Sequence, residues 1–89
     1  MKVKYSPEFL KTLKKINVRI RKSFEEQIRI FSKDIYNSQL NNHALKREYK
    51  GCRSINVTSD WRAIYQETKE GKDTVVYFIT LGTHKQLYE

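Results

Sequence analysis

The hydrophobic period of the chain changes once, at Gly51, and that change decides the fold class. Before it, apolar residues recur at three- and four-residue steps: Phe9, Leu10, Leu13 and Ile16, then Phe24, Ile28, Phe31 and Ile35. Stripes of this kind give a helix one apolar face. After it the sequence alternates, first in "RSINV" and then in "DWRAIYQE", with Thr58-Ser59 as the turn between them. Alternation at period two is a strand with one buried face. "TKEGKD" is a further turn, and "TVVYFITL" is apolar at successive positions, a strand covered on both sides. "KVKY" at the start alternates as a short strand. The expected architecture is α+β, ordered β-α-α-β-β-β with a short C-terminal turn of helix. Two helices pack on one face of a twisted, mainly antiparallel four-stranded sheet and leave the other face free.

Local signals agree with this outline. Ser6-Pro7 is a helix start, the serine as N-cap and the proline in the first helical position. A break near Asn17 divides the helical half into a hairpin. The second helix carries Arg21, Lys22, Glu25, Glu26, Arg29 and Lys33 opposite its apolar stripe. Between Asn37 and Lys50 periodicity vanishes, and a connection that long in a chain of 89 residues suggests a functional loop. No repeat, linker or low-complexity stretch divides residues 1–89, which read as one domain. The single cysteine, Cys52, excludes an internal disulfide framework and a multi-cysteine zinc site, and reads as a small packed residue. No apolar run has the form of a signal peptide or the length of a membrane span, so a cytoplasmic chain with no membrane contact is expected.

Charge narrows the choice of partner. The net charge is +8, and its distribution is uneven. Residues 1–50 hold 13 basic and 5 acidic side chains, whereas residues 51–89 hold 5 of each, so the whole excess lies in the helical half. A small domain this basic suits a polyanion, either nucleic acid or an acidic protein segment.

Few side chains can carry chemistry. The two histidines, His43 in the long loop and His84 in the tail, each lie just outside the sheet strands. Imidazoles near neutrality serve as general base and general acid. Two histidines with a carboxylate can also bind a metal, although these spacings match no compact ligand motif. No cofactor is called for, and no serine or cysteine nucleophile motif is present. Period two groups Asp60 with Arg62 on one strand face; Asp60 either caps the turn before it, orients a histidine or acts as the base itself. Arg62 can grip phosphate bidentately, with Arg53 and Lys46 as second choices, because Arg53 shares parity with core-facing Ile55. Trp61 and Tyr65 read as core, and Tyr49 as either a loop anchor or an RNA contact.

The stretch "HALKREYKGCRSINVTSDWRAIYQ", followed by "VVYFITLGTHKQLYE", resembles the RelE/ParE toxin superfamily, and within it the YafQ-like mRNA interferases. The shared elements are H-x-L-x-x-x-x-G-x-R-x-x-x-V-x-x-D-W-x-x-I-Y and a terminal G-T/S-H-x-x-L-F/Y. His43, Leu45, Gly51, Arg53, Val57, Asp60, Trp61, Tyr65, Gly82, His84, Leu87 and Tyr88 occupy the matching places, covering residues 43 to 88. The resemblance implies a toxin of a type II toxin-antitoxin system that cleaves mRNA in the ribosomal A site and is held inactive by a cognate antitoxin. It places the functional groups at His43, Asp60, His84 and Tyr88. Two positions depart from it: Asn56 stands where relatives often carry a histidine, and Ser54 where they often carry a carboxylate. From the residues themselves, Gly82 permits a sharp exit from the last strand, Leu87 docks the tail, and Tyr88 can stack on a splayed base. The alternative is a ParE-like toxin acting on DNA gyrase, or a basic RNA- or ribosome-binding module without catalysis.

Overall fold

The computed structural model describes residues 1–88. In chain order the elements are β1 (Lys2–Tyr5), α1 (Pro7–Lys15), α2 (Val18–Lys33), β2 (His43–Ala44), β3 (Cys52–Asn56), β4 (Trp61–Glu70), β5 (Asp73–Thr83) and α3 (His84–Tyr88). Short 3-10 turns at Ser38–Leu40 and Arg47–Tyr49 shape the long connection. The strands form one sheet in the order β1-β5-β4-β3-β2, with β1 parallel to β5 and every other pair antiparallel. The α+β class and the element order agree with the expected fold, but the sheet has a fifth strand. β2 is two residues long, which is too short to show any period, so its pairing of His43 with Ser54 and Ala44 with Arg53 is a tertiary effect.

Aromatic side chains make the core. The Phe78 ring on β5 lies 5.4 to 5.8 Å from those of Tyr5, Phe9, Phe24, Phe31 and Tyr65, so one side chain touches β1, both hairpin helices and β4. Spacings and tilts of this kind suit the ring quadrupoles as well as burying apolar area. Tyr65 is fully buried, and Trp61 packs at the margin of this cluster.

Ser6 joins the first helix to the sheet. Its Oγ accepts the Phe9 N–H at 2.9 Å, which caps α1, and donates to the Ile79 carbonyl at 2.7 Å. Ile79 is the extra residue of a β-bulge, since Ile64 pairs with Thr80 while Tyr65 pairs with Phe78. The bulge removes a ladder bond, and the serine hydroxyl takes up the carbonyl nearby. Ser6→Ala therefore loses a cap and leaves a carbonyl without a donor. The expected loss of stability is about 1–2 kcal/mol, read as a lower midpoint in urea with an unchanged slope.

The face of the sheet away from the hairpin helices is not free. Ser54 and Ile64, cross-strand partners on β3 and β4, are both fully buried, and α3 folds back on β5. Gly82 is what admits the fold-back. It does not have the positive φ of Gly51 and Gly71, and β5 continues past it to Thr83. A Cβ there would stand 3.1 Å from Leu87 Cδ2 and 3.2 Å from Gln86 Oε1. The glycine is required for close approach, rather than for the sharp exit expected from the sequence. Thr83 and Gln86 then close the first turn of α3 by exchanging backbone–side-chain hydrogen bonds at 2.9 and 3.1 Å.

Candidate functional site

A cleft of about 310 Å³ opens between the turn of residues 44–49 and the end of α3. Leu45, Lys46, Arg47, Glu48 and Tyr49 line one wall, and Leu87 and Tyr88 the other. The walls meet through their aromatic rings: Tyr49 and Tyr88 stand edge to face, 6.4 Å apart and nearly perpendicular. Burial pushes the Tyr49 phenol above its ordinary pKa, with the Glu48 carboxylate adding to the effect, so the group stays a neutral donor. Tyr88 Oη is buried without a hydrogen-bond partner among the described residues, as are Ser54 Oγ and Asn56 Oδ1 on the same side of the sheet. Unpaired buried polar atoms are rare in folded proteins.

Two histidines flank the cleft without lining it. His43 precedes the 44–49 turn. Its Nδ1 lies 2.8 Å from the Asn41 carbonyl, which can only accept, so Nδ1 holds the proton and Nε2 is left bare in the neutral ring. Asn41 presents that carbonyl from a left-handed conformation, φ 48°, which asparagine tolerates well. His84 opens α3. Its backbone N–H donates to the Asp60 carbonyl at 2.8 Å, and its ring lies 4.7 Å from Tyr88, one helical turn on. The structure thus brings Asp60, His84 and Tyr88 together and joins Tyr49 to them. His43 stands apart from these contacts, on the edge strand β2 at the far end of the strand order from β5. The histidines flank the site and do not pack against each other.

Two readings from strand parity need correction. Asp60 is exposed and lies in the turn, before β4 begins at Trp61, so it shares no strand face with Arg62. Nor is Asp60 the cap of that turn: Thr58 Oγ1 accepts the N–H groups of Asp60 and Trp61, at 3.3 and 3.0 Å. Arg62 does lie on the α3 side of the sheet, opposite Asn56 and Gly82, but one guanidinium nitrogen is engaged with the Thr58 and Trp61 carbonyls. Arg53 belongs to the other face. It pairs with buried Tyr65, donates from Nε to Asn42 Oδ1 at 2.7 Å and stacks 5.3 Å over the Tyr36 ring. Asn42 also donates to the Tyr65 hydroxyl, so Arg53 anchors the loop to the core and stands outside the cleft. Lys46 is exposed at the cleft.

One strained residue sits in the same wall. Arg47 has φ 59°, a left-handed conformation uncommon for a bulky side chain, which costs about 1–3 kcal/mol. Neither ion pair among the described residues, Lys4–Glu70 or Arg29–Glu26, involves Lys46, Arg47 or Arg62. Among the described residues no three metal-ligating side chains come together. Cys52 is partly buried, and burial pushes its thiol up, away from the reactive thiolate. No helix among the described residues is long and apolar enough to cross a membrane.

The sequence model of the bacterial YafQ toxins of type II toxin-antitoxin systems matches residues 1–89. The chain belongs to the YafQ toxin family. Similar solved structures support the same fold. YafQ from E. coli superposes with a TM-score of 0.78 at 23% identity, covering 98% of this chain and 97% of that one. The E. coli DinJ–YafQ toxin-antitoxin complex gives a TM-score of 0.74 at 23% identity, over 98% of this chain and 96% of the other. A YoeB/ParE toxin from Agrobacterium tumefaciens gives 0.76 at 17% identity, over 94% and 99%. No curated protein matches the sequence significantly. In this YafQ family member, Tyr49 is the functional candidate that sequence reasoning leaves open. Its signal is an aromatic in an otherwise polar loop, and its partner, Tyr88, lies 39 positions on.

Proposed function

We propose that this YafQ family member is an endoribonuclease that cuts mRNA in the ribosomal A site, acting in the cytoplasm and restrained by a cognate antitoxin. The observation that supports the reading is a single cleft flanked in the chain by two histidines, His43 just before Ala44 and His84 at the start of α3. Cleavage without a metal uses the substrate's own 2′-hydroxyl as nucleophile. The hydroxyl attacks the adjacent phosphorus as its proton passes to a base; the bond from phosphorus to the 5′-oxygen breaks, and an acid protonates that oxygen. The products are a 2′,3′-cyclic phosphate and a 5′-hydroxyl. His43 suits the base, because the Asn41 carbonyl holds the proton on Nδ1 and leaves Nε2 to accept. His84 then supplies the acid from the start of α3, steadied by Asp60 through its backbone and by Tyr88 through its ring. The unengaged donors of Arg62, together with Lys46, stabilise charge building on the phosphate oxygens. Asp60 acts here as a positioning residue.

The basic hairpin supplies the grip on ribosomal RNA. Arg21 is excluded from that role, since its guanidinium donates to the Leu13 and Lys14 carbonyls and caps α1 from α2. Lys14, Lys15 and Lys22 are exposed. Replacing these three with glutamine is expected to weaken ribosome binding and to reduce the slope of log affinity against log salt by about 2, at roughly 0.7–0.9 for each phosphate no longer neutralised. A salt titration of ribosome binding checks this, and an unchanged slope removes the hairpin from the interface.

An acidic or amphipathic antitoxin segment fits a chain of charge +8. The solved DinJ–YafQ toxin-antitoxin complex supports an antitoxin as partner. Primer extension on mRNA from cells expressing this chain, set beside His84→Ala, tests the enzyme reading. Cuts positioned by codon and present only with the wild type are expected. Arrested replication with intact mRNA would favour a gyrase-directed toxin instead.

A further inference from the structure

We propose that the cleft between the 44–49 turn and α3 is a base-binding subsite for one unstacked nucleotide, with Tyr49 as its specificity-determining wall and Arg47 as its phosphate contact. The inference deepens the ribonuclease reading above and rests on it. At about 310 Å³ the cleft is at the small end of ligand sites, of a size for one base and not for a folded RNA. Its walls present the rings of Tyr49 and Tyr88, and stacking on aromatic rings is the general way proteins hold unpaired bases. The buried Tyr88 hydroxyl has no partner among the described residues, and a base edge carries both donors and acceptors that can supply one.

Charge divides the ligand between the inside of the cleft and its mouth. Glu48, the one carboxylate among the described lining residues, disfavours a phosphate inside and suits an uncharged base. Lys46 and Arg47 are exposed, so they meet the backbone phosphate at the mouth. Arg47 is the second, independent observation. Its left-handed conformation is one that glycine adopts freely, so the backbone gives no reason for an arginine there. What the arginine adds is a guanidinium at the mouth of the cleft, and strain kept at such a place points to use.

The test is binding of an RNA trinucleotide carrying 2′-O-methyl groups throughout, which cannot be cut, against the same trinucleotide with its central base removed. Both are titrated to millimolar concentration and followed by NMR. The wild type is expected to bind the intact trinucleotide about 5- to 100-fold more tightly, the range that base stacking supplies. Tyr49→Ala should erase the difference, whereas Tyr49→Phe should keep it. Arg47→Gly should weaken both ligands alike with a melting temperature equal to or above that of the wild type. An equal response of the wild type to the two trinucleotides, including none, overturns the proposal. So does a Tyr49→Ala protein that melts normally and still discriminates. The two readings fail separately. If the subsite is wrong and the enzyme right, Tyr49→Ala cuts with an unchanged distribution over codons; if the enzyme is wrong, discrimination persists although mRNA in cells stays whole.

Discussion

His43→Ala and His84→Ala should each lower the rate of mRNA cleavage about 10²- to 10⁴-fold, with the fold of the protein unchanged. Both histidines are exposed, so truncation leaves no cavity in the core. Their effects should not add, because base and acid act on one reaction and removing either disables the step. Single-turnover cleavage on programmed ribosomes measures the two single variants and the double variant. A double variant whose loss is the product of the two single losses, or a single variant that cuts at the wild-type rate, would contradict the assignment of His43 and His84 to one step.

Phe78→Ala is the largest expected effect on stability. The ring is fully buried and bridges β1, α1, α2 and β4, so its loss removes apolar burial and leaves a cavity that four elements would have to close. Substitutions of this type cost about 3–5 kcal/mol. A domain of this size has only about 5–10 kcal/mol in total. The variant should therefore melt at a much lower temperature, and in cells it should lose toxicity through loss of folded protein. Circular dichroism on heating separates that outcome from loss of chemistry. A Phe78→Ala protein with wild-type melting would mean that the aromatic cluster does not hold the hairpin to the sheet.

How much of the fold is legible follows from the range of each signal. The helical stripes and the alternating strands come from contacts repeated along a segment, so the period assigns Phe9, Phe24 and Phe31 to the core, and an unbroken apolar run does the same for Phe78. Ser6 is readable as a cap because capping is local, but its second bond, to Ile79, depends on a bulge formed 73 residues away. Parity misleads where it is carried past the end of a strand. Asp60 lies in a turn held by Thr58, and period two has no meaning there. The far face of the sheet looks open from the sequence because the expected docking of Leu87 has no stated place along the chain, and only the fold sets it on Gly82. The fifth strand escapes for a related reason, as two residues cannot display a period. Parity does work for Arg53, which lies on the core side with Tyr65.

The site is legible in its residues and not in its grouping. The resemblance singles out His43, Asp60, His84 and Tyr88. The separation of His43 from the other three follows from strand order, which spacing along the chain does not encode. The tautomer of His43 depends on the left-handed Asn41, and the second wall of the cleft on an aromatic contact between Tyr49 and Tyr88. Both are products of the folded loop.

The central claim, cleavage by the substrate's own 2′-hydroxyl, is tested most directly by one substitution in the RNA. Ribosomes carrying an mRNA with a single 2′-deoxynucleotide at the cut position, incubated with the protein, should yield no cut there. The all-ribose mRNA should yield fragments ending in a 2′,3′-cyclic phosphate and beginning with a 5′-hydroxyl. Cutting that survives the deoxy substitution, or fragments that begin with a 5′-phosphate, would contradict the account.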